Sequence, residues 1–430
     1  MQTLFLALLA FFARSIIEIK KPYVIGVTGT VGKTTISAHL AQYLMRECGN
    51  REVMHSPYHY NGEYGLPLTI IGAKTGGKNP IRWIWVFLVA VYRLMVRYPR
   101  YIVLEYGIDH PGEMDFLLSI VEPDIAIITE IMPNHIEQFK TLEAYRGEKL
   151  KLGNQAKILI AHESLRQYIE KEALYYGRGA MSEIDASHTR IDDQGTHAIV
   201  HAYQKDYPIL VPVFGAFQID NLLPLYGVAH AIGVNLDHIA HYAQTFTPES
   251  GRSGILRGIN HSTIIDGSYN GGYLSIHSGI SSMRSFLSSH RLVFLLGDMR
   301  ELGDQTEDMH TQLGREILSI FPHEKNVYFF LVGPSMGEYV KPILASAFQT
   351  LHTLSSREAG EHIAELLKKS KDTSTMVYVK GSQNTIFLEE GIKLFLDPHE
   401  DTSKLCRQTP DWMKKKEIFF RNLNKSKAPK

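Results

Sequence analysis

One stretch limits what this chain can fold into more than any other: Tyr23-Val-Ile-Gly-Val-Thr-Gly-Thr-Val-Gly-Lys-Thr-Thr35. An apolar run long enough for a buried strand breaks into a glycine-rich turn, and helix-forming residues follow. In a strand–turn–helix unit of this kind, Gly29 and Gly32 let successive backbone N–H groups point at a polyphosphate, and the helix opening at Lys33 adds its positive dipole end. Lys33 would reach the β- and γ-phosphates, and the Thr34 hydroxyl would ligate Mg²⁺. Thr28, Gly29, Thr30, Gly32, Lys33, Thr34 and Thr35 are therefore the candidate ATP-binding residues. The usual signature has a glycine five residues before Gly32, and Val27 stands there, so the loop is a variant, T-G-T-x-G-K-T-T.

The rest of the chain suits such a loop. Short apolar runs at Tyr101–Glu105, Asp124–Thr129 and 157–161 read as strands buried on both faces of a parallel sheet, with helical stretches between them. From about Ile191 to Val213 the pattern alternates, which predicts a small antiparallel excursion. Beyond the polar break at Thr247–Gly251 the alternation restarts, with strands expected at 262–266, 292–297, 327–332 and 376–379. The fold class is α/β: a P-loop, doubly wound, mostly parallel sheet followed by a smaller Rossmann-like α/β domain. The expected divisions are a hydrophobic helix at 1–20, an ATP-binding domain at 21–246, a second domain at 247–400, and a basic tail at 401–430 read as a solvated end.

Composition excludes some partners. Lys and Arg together number 45, as do Asp and Glu, and no basic stripe with interleaved aromatics appears, so a nucleic-acid partner is not expected. Two distant cysteines, Cys48 and Cys406, make neither a disulfide framework nor a zinc site, and a reducing cytoplasm is the simplest location. Leu4–Phe12 lacks a basic leader and is too short to span a bilayer, which takes about 20 residues; it reads as a helix packed on the first domain, with docking on the membrane surface as the second reading. Ile81–Val96, interrupted by Arg82 and Arg93, reads as a core or interface helix, or as a peripheral contact with the inner face of the membrane.

Two further residues point at the loop. Glu105 ends an apolar strand, where a Mg²⁺-binding carboxylate would sit opposite a phosphate loop, and His135 follows the strand at Asp124 in the same way. Mg²⁺ keeps several waters, so one or two such ligands plus phosphate oxygens suffice. The loop at His59–Pro67, with Asn61 and Glu63, suits binding better than core.

Taken in order, these segments resemble the Mur ligase family, the ATP-dependent amide ligases of peptidoglycan precursor synthesis, and within it the branch that adds D-alanyl-D-alanine to a UDP-N-acetylmuramoyl-tripeptide. Beside the T-G-T-x-G-K-T-T loop, the similarity is carried by Asn61-Gly-Glu-Tyr-Gly-Leu-Pro67, Glu105-Tyr-Gly-Ile-Asp-His-Pro-Gly-Glu113, His135-Ile-Glu-Gln-Phe139, Gly297-Asp-Met-Arg-Glu-Leu-Gly303 with His310, and Val379-Lys-Gly-Ser382. The resemblance implies ATP and Mg²⁺ as cofactors, with Lys33, Glu105, His135 and Lys149 as the catalytic set. Thr34, Glu105 and His135 would hold metal. Lys149 falls where the family carries a lysine carbamylated by CO₂, and its carbamate would help hold a second Mg²⁺. It further implies Asn221 at the adenine, Arg252 at the nucleotide phosphates or ribose, and Asp266 in the nucleotide site. Asn61, Glu63, Ser268, Tyr269 and Asn270 would lie on the substrate side. Expected partners are small molecules, a peptidoglycan precursor and D-alanyl-D-alanine or an amino acid, and the expected state is a monomer.

The sequence departs from that family in three places. Only about 20 residues precede the loop where the branch carries a domain gripping the UDP-sugar. Gly215-Ala-Phe-Gln-Ile-Asp-Asn221 keeps only the last Asn of G-x-H-N-x-x-N. Gly267 replaces a second Asp after Asp266. A sister amide ligase acting on another amino acid, or on a smaller or lipid-linked acceptor, therefore stays open, as does a nucleotide switch that hydrolyses ATP without ligation.

Overall fold

The apolar run at the start of the phosphate loop forms strand β1 (Tyr23–Thr28), buried from Val24 onward, because it lies in the middle of a sheet with parallel neighbours on both sides. In this computed structural model the described residues are 2–427 apart from 56–59, 78, 133–135, 180, 193, 301, 323, 370–373 and 383–385. They form two compact units: Met1–Thr189 with Ala198–Leu210 and Ile219–Phe246, and Arg190–His197 with Val211–Gln218 and Thr247–Lys430.

In the nine-stranded sheet, β2 (Val53–His55), β3 (Tyr101–Glu105), β4 (Ile125–Ile128), β5 (Ile158–His162), β6 (Leu174–Gly177), β7 (Ile184–Asp192), β8 (Gly195–Ala202) and β9 (Lys205–Val211) join β1 in the order β2-β3-β1-β4-β5-β6-β7-β8-β9. From β2 to β7 every pairing is parallel. β1 stands between β3 and β4, so the chain leaves it at the point where the winding reverses, and the carboxyl ends of three strands open there into one crevice. The excursion expected near Ile191 begins earlier, at Ile184. It ends in a hairpin whose turn residues, Tyr203 and Gln204, both have positive φ, the geometry of a two-residue turn.

Helices α1 (Gln2–Lys20), α2 (Lys33–Cys48), α3 (Gly65–Ile71), α4 (Pro80–Met95) and α5 (Glu113–Ile120) cover this sheet. The N-terminal apolar segment is a packed helix: Leu9, Ala10, Ala13 and Ile16 of α1 share one core cluster with Leu66 of α3, Val86 and Ala90 of α4, and Ile102 and Leu104 of β3. Among the described residues no helix is long and apolar enough to cross a membrane.

The second unit has a six-stranded sheet, β10 (Gly254–Arg257), β11 (Thr263–Gly267), β12 (Arg291–Gly297), β13 (Val327–Val332), β14 (Gln349–Thr353) and β15 (Thr375–Lys380), ordered β10-β11-β15-β12-β13-β14. It is parallel except for the β10–β11 pair. One core cluster, with Ile276, Leu313 and Ile317, covers one face, and another, with Ile363, Leu388 and Ile392, covers the other. β10 and β14 have no counterpart in the sequence reading. Both lie at sheet edges, where half-exposed residues such as Gln349 and His352 leave no apolar run to recognise.

The basic tail corrects an expectation. It is not a solvated end: Pro410–Lys427 is a helix, and Lys416 within it is fully buried. Its ammonium pairs with Glu389 at 2.8 Å and Glu390 at 2.9 Å. Just before the helix, Arg407 clasps both oxygens of Glu389 at 2.8 and 2.7 Å.

Candidate active site

At the mouth of β1 the loop adopts the backbone that its glycines make possible. Gly29 has φ 135° and Gly32 φ 85°, a region that side chains with a Cβ rarely enter. Space reinforces this: a Cβ on Gly29 would meet the Thr129 hydroxyl at 1.9 Å, and one on Gly32 would meet the side-chain oxygen of Asn221 at 2.5 Å. The loop is pinned from the next strand. Thr129 N–H donates to the Thr28 carbonyl at 2.9 Å, Thr30 N–H to the Glu130 carbonyl at 3.0 Å, and Met132 N–H to the Thr30 hydroxyl at 3.1 Å. Lys33 starts α2 and folds its ammonium back over the loop, donating to the carbonyls of Gly29 at 2.9 Å and Thr30 at 3.2 Å. Thr35, two positions on, lies in the first turn of α2.

Glu105 closes the other side. It ends β3, next to β1 in the sheet, and is 6% exposed. Its two oxygens accept from α2: Oε2 from the Thr34 hydroxyl at 3.1 Å and Oε1 from the Ser37 hydroxyl at 2.8 Å. The carboxylate and the hydroxyl expected to share a metal are therefore in contact. Ser37 was not singled out in the sequence, and its place one helical turn beyond Thr34 is the signal that could have found it. His135 lies outside the described residues.

Lys149, on the helix Leu142–Gln155, is 1% exposed. Burial, and then the nearby charge of Lys33, push its amine down to about 7 against the pull of Asp109. The surrounding loops are acidic. Glu113 accepts from the N–H groups of Asp109 at 2.6 Å and His110 at 3.1 Å. Glu63 lies close enough to Glu113 for burial and that like charge to hold its carboxyl above the usual range. Asn61 is fixed by its backbone, whose carbonyl accepts from Gly107 N–H at 2.5 Å, so the first two quoted segments after the phosphate loop pack on one another. Asn221, 8% exposed, stands against Gly32.

The remaining candidates belong to the second unit. Asp266, near the end of β11, is 2% exposed, and burial raises its carboxyl while the Ser268 N–H donates to it at 3.0 Å. The Arg252 guanidinium lies over the Tyr269 ring at 4.5 Å. Asn270 accepts from Gly271 N–H at 2.9 Å. Two residues to which the sequence reading gave no role complete this group: Lys380, within the quoted Val379–Ser382 segment, and Arg407. Lys380, paired in register with Gly267, is buried, and burial together with Arg252 pushes its amine down to about 8. Arg407 donates to the carbonyls of Ser268 at 2.8 Å and Tyr269 at 3.0 Å, so the tail holds the candidate substrate turn in place. His310, by contrast, has a packing role. Its Nε2 accepts from Met299 N–H at 3.0 Å, which leaves Nδ1 to donate to the Thr306 carbonyl at 2.7 Å.

The first unit's residues fit a nucleotide and its metal. Two glycine positions leave room that any Cβ would fill, and the Thr129 hydroxyl beside Gly29 is buried with no hydrogen-bond partner among the described residues. Among the described residues no group of three His, Cys, Asp or Glu side chains could hold a metal by itself. A pairing of Thr34 with one carboxylate, completed by phosphate oxygens and water, is the kind of site Mg²⁺ takes.

Residues 27–229 match the Mur ligase middle domain. The UDP-N-acetylmuramoyl-tripeptide–D-alanyl-D-alanine ligase of Haemophilus influenzae is 24% identical over 308 residues, 69% of this chain and 61% of that protein. The enzyme of the same name from Bacillus subtilis is 26% identical over 305 residues, 68% of this chain and 60% of that protein. The aligned part thus spans about three-fifths of these relatives, 61% and 60%. The crystal structure of MurF ligase from Thermotoga maritima in complex with ADP shares the fold, with TM-score 0.72 and 22% identity over 91% of this chain and 83% of that one.

Proposed function

We propose, from the match of residues 27–229 to the Mur ligase middle domain, that the chain is an ATP-dependent carboxylate–amine ligase acting through an acyl phosphate. Its proposed reaction is the addition of D-alanyl-D-alanine to a muramoyl-peptide acceptor in peptidoglycan synthesis, by a cytoplasmic monomer. The observation that carries this reading is the 3.1 Å contact between Thr34 and Glu105 at the mouth of a phosphate loop whose lysine is already folded inward.

The chemistry explains the charges. A carboxylate is a poor electrophile, and transfer of ATP's terminal phosphoryl group to one of its oxygens makes that oxygen a leaving group for an attacking amine. Bringing a carboxylate to a polyanion requires cations placed in advance. Lys33 supplies one, and the loop N–H groups and the α2 dipole extend it. Mg²⁺, held by Thr34 and Glu105 and by His135, would neutralise charge on the transferring phosphoryl group. Asn61 and Glu63 would face the acceptor. In the second unit Arg252 and Asp266 would serve the nucleotide, and Ser268, Tyr269 and Asn270 the amine.

The reading requires phosphate release only when both an acyl acceptor and an amine are present. A screen crossing muramoyl peptides with D-alanyl-D-alanine and with single amino acids measures this. ADP and phosphate formed at the same rate without either substrate would identify an ATPase switch instead, and release with a single amino acid would identify a sister ligase.

Lys149 is proposed as the carbamylated lysine. A neutral amine adds to CO₂, forming an N–C bond and losing one proton, and the cation becomes an anion with two oxygens. An amine with its pKa near 7 is mostly free above that pH, whereas an ordinary lysine is not. In CO₂-depleted buffer at about pH 8, bicarbonate is expected to restore the ligase rate several-fold. The restoration should shrink at about pH 6, where the ammonium dominates. Equal rates with and without bicarbonate across that range would assign Lys149 to packing.

A further inference from the structure

Helix α4 turns an apolar face away from the protein. Ile81, Ile84, Trp85, Leu88, Tyr92 and Met95 are each 56 to 73% exposed, and their spacing of three and four residues places them on one stripe. The helix is anchored from its other side: Val86 and Ala90 are buried, and Trp83 and Phe87 pack against Phe5 and Phe12 of α1. Leu8 and Phe11 of α1, 40 and 59% exposed, add to the outward surface. Scattered single apolar residues are normal on a protein surface, but a continuous row along about 24 Å of helix marks an interaction site.

The charge carried by the same stretch of chain favours one kind of partner. From Tyr64 to Leu104 the chain has six basic residues and no acidic one, in a protein whose basic and acidic residues balance at 45 each; Arg97 pairs with Glu52 and Arg93 turns to the Ile71 carbonyl, while Lys74 and Arg82 are exposed. A second copy docked face to face would bring like charges together across the two-fold axis. An anionic bilayer attracts the same charges, at about fivefold in partition for each basic residue near its surface. Trp85 and Tyr92 have the amphipathic rings that favour the level of the headgroups. At about 24 Å the helix is shorter than the roughly 30 Å hydrocarbon core, so it would lie in the interface rather than cross it.

We propose that the outward face of α4, extended by α1, is a membrane-docking surface that seats the first unit on an anionic bilayer. The proposal stands apart from the ligase reading, since it uses no residue of the phosphate loop or its neighbours. Its test is sedimentation of the full chain with vesicles of phosphatidylcholine alone and of phosphatidylcholine mixed with phosphatidylglycerol. Capture by the anionic vesicles is expected to be at least about tenfold stronger and to weaken with salt. The double substitution Trp85→Ser with Leu88→Ser is expected to lower it by roughly a hundredfold. Both side chains are exposed, so the circular dichroism spectrum and melting curve should stay those of the unaltered chain. Equal capture by both vesicles, capture by neither, or capture unaffected by the double substitution would overturn the proposal. A dimer in vesicle-free solution that the substitution dissolves would also overturn it and assign the face to a second copy.

Discussion

Lys33→Ala is expected to lower kcat/KM for phosphate release by at least about a thousandfold, roughly 4 kcal/mol of lost transition-state stabilisation. The size follows from what the side chain does. Its ammonium is held over the loop by the carbonyls of Gly29 and Thr30, at the place where the terminal phosphates of ATP would lie, so it needs no reorganisation when negative charge builds there. Glu105→Gln separates the metal role from the fold. The amide is nearly isosteric and can still accept from Thr34 or Ser37, but it has lost the charge expected to hold Mg²⁺. We expect about a hundredfold lower rate and a higher Mg²⁺ requirement. The measurement is phosphate release with acceptor and amine both saturating, beside a melting curve for each variant. A folded Lys33→Ala protein keeping a tenth of the original rate would take the loop out of the reaction.

The second large effect is on stability. Lys416 is fully buried between Glu389 and Glu390, themselves 0 and 4% exposed. Lys416→Met keeps most of the volume and removes the charge, leaving two carboxylates in the interior with one cation fewer. Breaking a buried ion pair by removing one partner costs about 3–5 kcal/mol, which in a unit of this size lowers the melting temperature by about 10 °C. Arg407 ties the same glutamate to the carbonyls of Ser268 and Tyr269, so a loosened tail should also raise KM for whichever substrate that turn holds. A loss below about 1 kcal/mol would mean that the tail helix rests on the unit without stabilising it.

Much of the first unit was legible beforehand because its signals are local. The strand–turn–helix of Tyr23–Cys48 follows from an apolar run, two glycines and a helix-forming stretch, each acting over a few residues. Glu105 was legible as well, because it ends an apolar strand in a chain whose phosphate loop opens at a neighbouring strand end, although a carboxylate in that position alone is often merely solvated. The edge strands β10 and β14 were not, because an edge buries too little to leave a period in the sequence. The start of the antiparallel excursion was placed seven residues late, at Ile191 rather than Ile184, because the first residues of β7 pair with β6 and carry no turn signal.

By itself the sequence determined the fold class, the phosphate loop and the family resemblance, because strand burial, turn geometry and glycine backbone freedom are fixed by residues adjacent in the chain. Only the tertiary structure decided that Ser37 shares Glu105 with Thr34 and that burial beside Lys33 lowers the Lys149 amine. It alone also showed that the basic tail is an ion-paired helix and that the apolar stripe of α4 points outward. Each of these depends on how far a group is removed from water and on which charges stand beside it. Residues distant in the chain set both quantities, and only folding brings them together.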